Sequence, residues 1–226
     1  MKYSIFFNAL IIFFLVILAC PTNIDLGFIL DSSGSLRSEY HKEKAFLKEV
    51  SKSFGIGEND TRVGVVTFSF TAEHSIKLND HYDQDAFDTA VENIPLMGRT
   101  TRIDRALRMA QDVLFLERNG ARAGVPKVLI LLTDGSQTQS ADMEEPADVA
   151  KEIIASGIKL LVVGIGKGVN RVELEKISGS DLDTYTADSF DTLIQGDFVQ
   201  KITFGSCFGA EELLQAGKFL FKTFLH

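Results

Sequence analysis

Asp25-Leu26-Gly27-Phe28-Ile29-Leu30-Asp31-Ser32-Ser33-Gly34-Ser35 reads as a buried strand that runs straight into a polar loop. Leu26, Phe28, Ile29 and Leu30 form an apolar run of strand length, rich in branched and aromatic side chains. The loop then offers one carboxylate, Asp31, and two hydroxyls at alternate positions, Ser33 and Ser35, with Gly34 permitting a tight turn between them. Three hard oxygen donors on one turn suit Mg²⁺ or a similar hard cation and not Zn²⁺, which prefers His and Cys. Taken alone, Asp-Ser-Ser-Gly is an ordinary turn sequence. What makes it a candidate site lies further along the chain.

The same alternation of strand and helix continues outward from this stretch. Apolar residues at helical spacing (Phe46, Leu47, Val50, Phe54) predict a helix over 40–54, closed by Gly55. A strand is expected over 61–70 and a neighbouring edge strand over 72–78, joined closely enough for an antiparallel pair. Phe87, Val91 and Ile94 mark a second helix stopped by Pro95, and Ile103, Leu107, Ala110 and Leu114 mark a third. Val128-Leu129-Ile130-Leu131-Leu132 is apolar on both faces, as a central strand of a covered parallel sheet must be, and it ends at Thr133-Asp134-Gly135. Beyond it follow a helix over 144–156, a strand over 158–165, a short helix over 172–177, a short strand over 184–187 and a last helix over 190–204. The fold class is therefore α/β: a doubly wound, mostly parallel central sheet with one antiparallel edge strand and helices on both faces.

The chain has 226 residues, 45% of them hydrophobic, enough for one domain with a closed core. Its net charge of −8, with no basic patch interleaved with aromatics, argues against a nucleic-acid partner. Met1-Lys2 precedes an apolar run from Ile5 to Ala19, of signal-peptide length and short for a membrane span. Residues 1–19 are read as a cleaved secretory signal, with an uncleaved anchor as the alternative, so no stable membrane insertion is expected after cleavage. The two cysteines, Cys20 and Cys207, bracket the 20–207 domain, and in a secreted chain such a pair points to a disulfide joining its ends. Asn59-Asp60-Thr61 is a glycosylation acceptor in a polar connection. The 208–226 tail mixes Leu213, Leu214, Phe219, Leu220, Phe221 and Phe224 without clean periodicity.

In an open parallel sheet, ligands bind beyond the carboxyl ends of the strands where strand order reverses. Asp31 and Asp134 both stand at such ends, and the Thr100-Thr101 loop precedes a helix, so three loops carrying oxygen donors are expected on one rim. Catalytic patterns are missing. Gly164-Ile165-Gly166-Lys167-Gly168 is not a dinucleotide fingerprint, an Asp-x-Asp phosphatase needs a carboxylate where Ser33 stands, and no Gly-x-Ser-x-Gly elbow occurs. His41, His74, His81 and His226 are scattered in polar segments.

Asp31-x-Ser33-x-Ser35, the Gly98-Arg99-Thr100-Thr101 loop before an Ala-Leu helix, and Thr133-Asp134-Gly135 after an apolar strand together resemble the von Willebrand factor type A domain. Those loops are similar to its metal-ion-dependent adhesion site (MIDAS). The resemblance spans roughly 24–203, and the flanking cysteines are similar to those of the type A modules in matrilins and collagen VI chains. It implies a Rossmann-like fold and a bound Mg²⁺, Mn²⁺ or Ca²⁺. It further implies direct contacts from the Ser33, Ser35 and Thr101 hydroxyls (Thr100 as the alternate), with Asp31 and Asp134 reaching the ion through water. A first shell without negative charge keeps the ion electrophilic toward a carboxylate. The implied function is a secreted, extracellular adhesion module, not an enzyme, that captures an acidic group of a protein partner such as a matrix component. A metal-independent structural matrix protein and a metal-dependent hydrolase are the other readings. One departure stands out: where the family commonly has Thr-x-Thr-Gly, this chain reads Thr101-Arg102-Ile103-Asp104.

Overall fold

The computed structural model describes residues 23–207. Strand β1 (Asp25–Asp31) is buried along its whole length and forms parallel ladders with β2 (Arg62–Phe68) on one side and β4 (Lys127–Thr133) on the other. β3 (Ala72–Ile76) pairs antiparallel with β2 at one edge, while β5 (Ile158–Ile165) and β6 (Thr184–Ala187) extend the sheet in parallel beyond β4. The strand order is β3-β2-β1-β4-β5-β6, so the chain first builds outward from β1 in one direction and then crosses to build in the other. That reversal lies between β1 and β4, where a doubly wound sheet opens a crevice at its carboxyl edge. The expected class, a parallel sheet with one antiparallel edge strand, is the observed one.

Alternation along the strands divides the core in two. Leu26, Phe28 and Leu30 of β1, with Ile130 and Leu132 of β4, face α1 (Tyr40–Lys52), α2 (Gln84–Glu92) and α7 (Gly196–Cys207). Ile29, Leu129 and Leu131 face α3 (Ile103–Met109), α4 (Pro146–Ala155) and α5 (Arg171–Ser178). Both faces of the central strands are thereby covered, which is why their sequences are continuously apolar.

Gly27 and Gly64 stand opposite one another in the β1–β2 register. A Cβ on Gly27 would lie 2.7 Å from one methyl of Leu114, and a Cβ on Gly64 would lie 2.6 Å from the other. The glycine pair is a notch in the sheet into which Leu114 packs. Leu114 reaches it from a π-helical turn, Ala110–Leu114, that continues α3, with Phe115 N–H donating to the Ala110 carbonyl at 3.4 Å. The spacing of Ile103, Leu107, Ala110 and Leu114 identifies the buried face correctly, but the widened last turn leaves no trace in that pattern.

The expected single helix over 190–204 is two helices, α6 (Phe190–Leu193) and α7, separated at Ile194 and Gln195. Buried Leu193 precedes buried Phe198 by five positions, one step more than a helical stripe allows, and the break brings both onto the core. Among the described residues no helix is long and apolar enough to cross a membrane. The expected signal over 1–19, Cys20 and the 208–226 tail lie outside the described residues. Cys207 closes α7, and Asn59 is exposed in the connection between α1 and β2.

Candidate functional site

At the carboxyl end of β1 the chain turns through Ser32 and Ser33 into a short 3-10 turn, Gly34–Leu36. The Asp31 carboxylate stays inside that turn, with no solvent exposure. One oxygen accepts the Ser33 backbone N–H at 2.9 Å, and the other accepts the Thr133 hydroxyl at 2.9 Å. The second bond crosses from β1 to the end of β4, so the loop that begins with Asp134 is tied to the Asp31 loop at the switch point. Above the carboxylate, Ser33 Oγ and Ser35 Oγ lie 3.0 Å apart. Ser33 is almost fully buried and Ser35 is exposed, so the pair leads from the interior to the surface.

A third loop joins them edge to edge. Ser33 pairs with Arg99 as an isolated parallel bridge, and the Gly34 N–H donates to the Arg99 carbonyl at 2.8 Å. Ser69, just beyond β2, receives the Arg99 N–H on its hydroxyl at 2.8 Å and donates to the Thr100 carbonyl at 3.1 Å. Ser32 Oγ accepts the Met97 N–H at 2.7 Å. Thr101 is fixed from the opposite side. Its carbonyl accepts the Thr138 N–H at 2.8 Å, and its own N–H donates to the Thr138 hydroxyl at 3.2 Å. The loops carrying Asp31, Ser33, Ser35, Thr101 and Asp134 thus meet on one rim.

The departure at 101–104 has a structural account. Arg102 is 1% exposed and grips Asp104 with two hydrogen bonds, at 2.9 and 2.8 Å, while it also reaches Asp142 at 3.1 Å. Gln137 donates to Asp104 at 2.6 Å and accepts the Ile103 N–H at 2.6 Å, which caps α3 from a distant loop. Burial pushes the Asp104 carboxyl up, but the bonds from Arg102, Gln137 and the Glu144 N–H outweigh it and hold the group below its usual range. The Asp104 charge is thus consumed inside a buried pair, and the pair clamps the loop that presents Thr101. Arg102 and Gln137 were not legible as a clamp, because they are 35 positions apart and neither carries a motif.

A second unforeseen residue lies beneath the rim. Glu43 of α1 is fully buried and neither carboxylate oxygen has a hydrogen-bond partner. Burial, then the charges of Asp31 and Asp134, push its pKa well above the ordinary carboxylate range. Asp31 is pushed up to about 6, by burial first and then by Asp134, against the opposing bonds from Ser33 and Thr133. A signal for Glu43 was present: Tyr40, Glu43, Phe46, Leu47 and Val50 share one helical stripe, so Glu43 occupies a core-facing position.

The donor set suits a hard divalent ion. Among the described residues no three His, Cys, Asp or Glu side chains cluster as a ligand group, so the donors on this rim are mainly hydroxyls. Two cis oxygens around an octahedral Mg²⁺ at ~2.1 Å stand ~3.0 Å apart, and Ser33 Oγ and Ser35 Oγ already have that spacing. Both Asp31 oxygens are committed to bonds from the protein, which fits a carboxylate acting through water and not by direct contact.

Comparison with known proteins places this geometry. The sequence profile of the von Willebrand factor type A domain matches residues 25–201. The human collagen alpha-5(VI) chain is 32% identical over 170 residues, which cover 75% of this chain and 6% of that one. Human matrilin-1 is 33% identical over 165 residues, 71% of this chain and 32% of its own. Proximal thread matrix protein 1 from the mussel byssus superposes with a TM-score of 0.77 at 25% identity, covering 83% of this chain and 48% of that one. A structure of the same mussel protein with a zinc-occupied MIDAS motif superposes with a TM-score of 0.76. The chain spans about a third of matrilin-1 and a far smaller share of the collagen chain.

Proposed function

Because the chain belongs to the von Willebrand factor type A family, we propose that it is a secreted, cation-dependent adhesion module that captures an acidic group of an extracellular protein partner. The observation that carries this reading is the Ser33–Ser35 hydroxyl pair, 3.0 Å apart above a fully buried Asp31 at the switch point of the sheet. Ser33, Ser35 and Thr101 would contribute neutral oxygens to a Mg²⁺, Mn²⁺ or Ca²⁺ ion. Asp31 and Asp134 would hold the ion through water. When bound, the ion supplies a Lewis-acidic position for an incoming carboxylate. The protein's own part would be to keep that position electrophilic: the residues that would contact the ion are hydroxyls, and the loops that carry them are held through the Arg99 and Thr101 backbone by the Gly34, Ser69 and Thr138 hydrogen bonds.

Binding, not turnover, is the activity these residues support. The hydroxyl paired with a carboxylate here, Thr133 on Asp31, is fully buried, and Glu43, whose oxygens have no partner, is sealed beneath the rim. The collagen VI, matrilin and byssal thread matrix relatives favour an extracellular matrix setting. Secretion through residues 1–19, a Cys20–Cys207 disulfide and glycosylation at the exposed Asn59 complete the proposal. Immobilised protein should retain matrix proteins from a tissue extract in Mg²⁺ and release them in EDTA. Retention unchanged by EDTA favours a metal-independent structural role, and turnover in a hydrolase screen contradicts the proposal.

A further inference from the structure

The rim around the hydroxyl pair is electrically lopsided. On the side of Asp134, Ser136 donates to Glu173 at 3.0 Å, so that flank is acidic. The opposite flank, beside Ser33 and Ser35, carries Arg37 and Arg99 on a chain whose net charge is −8. Arg37 follows the 3-10 turn that bears Ser35, and its guanidinium lies 3.7 Å from where a Cβ on Gly98 would stand. Arg99 is the next residue, and its backbone is bonded to the Ser33–Gly34 turn. Both side chains are exposed, and neither guanidinium forms an ion pair among the described residues.

Their neighbours are placed differently. Arg105, in the first turn of α3, is committed to Asp142 at 2.7 Å and to the Phe70 carbonyl at 2.7 Å. Phe70 itself is 40% exposed, with the Arg105 guanidinium 4.6 Å and the Arg99 guanidinium 5.5 Å from its ring centre. An exposed phenylalanine flanked by two arginines at cation–π distance is a preordered surface, because the ring limits the freedom of the Arg99 side chain. Arg99 is held with its charge unneutralised, next to the proposed ion.

We propose that Arg37, Arg99 and Phe70 form a second contact for the partner, and that the partner is an acidic peptide segment. One carboxylate meets the ion, and neighbouring carboxylates lie across Arg99 and Arg37. Guanidinium groups take carboxylates bidentately, which gives orientation as well as attraction. The acidic Asp134–Glu173 flank repels the same segment, so the segment extends from the ion over the arginines and away from that flank. This rests on the proposed reading of the rim as the binding face, and it adds the class of partner and the side of the rim it occupies.

The probe is a fluorescein-labelled hexaglutamate peptide, followed by anisotropy with the full chain in Mg²⁺ at low and high salt. The natural chain binds it, and the Arg37→Ala/Arg99→Ala double variant binds roughly tenfold more weakly with a shallower salt dependence. That variant keeps the Mg²⁺ affinity of the natural chain by calorimetry and its unfolding temperature, which separates a contact role from damage to the loop. A Phe70→Ala variant shows a smaller loss of the same kind. Equal binding by the double variant overturns the proposal even if Mg²⁺ binds as expected. Preference for a heparin octasaccharide over the peptide overturns it too, by identifying a sulfated polysaccharide as the occupant. Arginine-dependent peptide binding in a chain that fails to bind Mg²⁺ supports the surface and defeats the metal reading alone.

Discussion

Replacing Asp31 by Asn should stabilise the cation-free protein at neutral pH while abolishing its response to Mg²⁺. Asp31 has no solvent exposure, and its carboxyl is pushed from 3.8 up to about 6, chiefly by burial. A rise of about two pH units corresponds to roughly 3 kcal/mol between the protonated and ionised forms. Since the folded value is the higher one, this contribution to stability is fully present below the unfolded value near 4, and it is lost as pH rises through about 6. Asn does not titrate, and it fits the same bonds. Its carbonyl accepts the Ser33 N–H, its amide donates to Thr133 Oγ, and the Thr133 hydroxyl then turns to the Gly135 carbonyl, already 3.1 Å away. The second amide N–H gains no partner from these bonds, which brings the expected gain below the full value.

In EDTA at pH 8 the variant should therefore be more stable than the natural chain by up to about 3 kcal/mol, or roughly 6–12 °C in unfolding temperature for a domain of this size. At pH 4 the two should agree within about 1 kcal/mol, because Asp31 is then largely protonated. The burial that chiefly raises Glu43 is common to both chains and cancels, while the part due to the Asp31 charge is relieved in the variant and acts in the same direction. Thermal unfolding by circular dichroism from pH 4 to 8, with and without Mg²⁺, is the assay. A variant less stable than the natural chain at pH 8, or a difference that does not change with pH, would refute the assignment of a destabilising buried charge to Asp31.

Glu43→Met should raise stability at pH 8 by about 1–4 kcal/mol, since an unpartnered buried carboxyl gives way to an apolar chain of similar length; urea unfolding midpoints check it, and a loss of stability would show that Glu43 has a partner. Gly64→Ala should destabilise by roughly 1–3 kcal/mol because Leu114 must leave its notch, and the same variant combined with Leu114→Ala should recover part of that loss in denaturant titrations. Peptide mapping of the secreted protein without reduction should yield a Cys20–Cys207 cross-link, expected to contribute about 4–5 kcal/mol by loop closure; two alkylatable thiols would exclude it.

Much of this architecture is written in local pattern. The unbroken apolar runs 26–30, 128–132 and 160–165 require strands covered on both faces, and that points to a parallel sheet with two helical layers. The carboxyl ends of the first two runs then bring Asp31 and Asp134 to one rim, while Ser33, Ser35 and Thr101 follow on adjoining loops. What stayed hidden depends on pairs distant in the chain. The Gly27–Gly64 notch acquires meaning only through strand register and a π turn more than 40 positions later. Arg102 reads as a surface charge until Asp104 and Asp142 enclose it. The break between α6 and α7 is visible in retrospect as a five-residue step in the apolar stripe, which a continuous helix cannot bury.

Whether the rim holds a cation is decided by calorimetric titration of Mg²⁺ into the EDTA-stripped chain, run beside a Ser33→Ala variant. One saturable site is expected in the natural chain and none measurable in the variant. The two chains should nevertheless unfold within about 2 °C of each other in EDTA, because Ser33→Ala removes only a rim hydroxyl whose partner, Ser35, is solvated. Absence of a saturable site in the natural chain, or equal Mg²⁺ affinity in the variant, would contradict the proposed cation site.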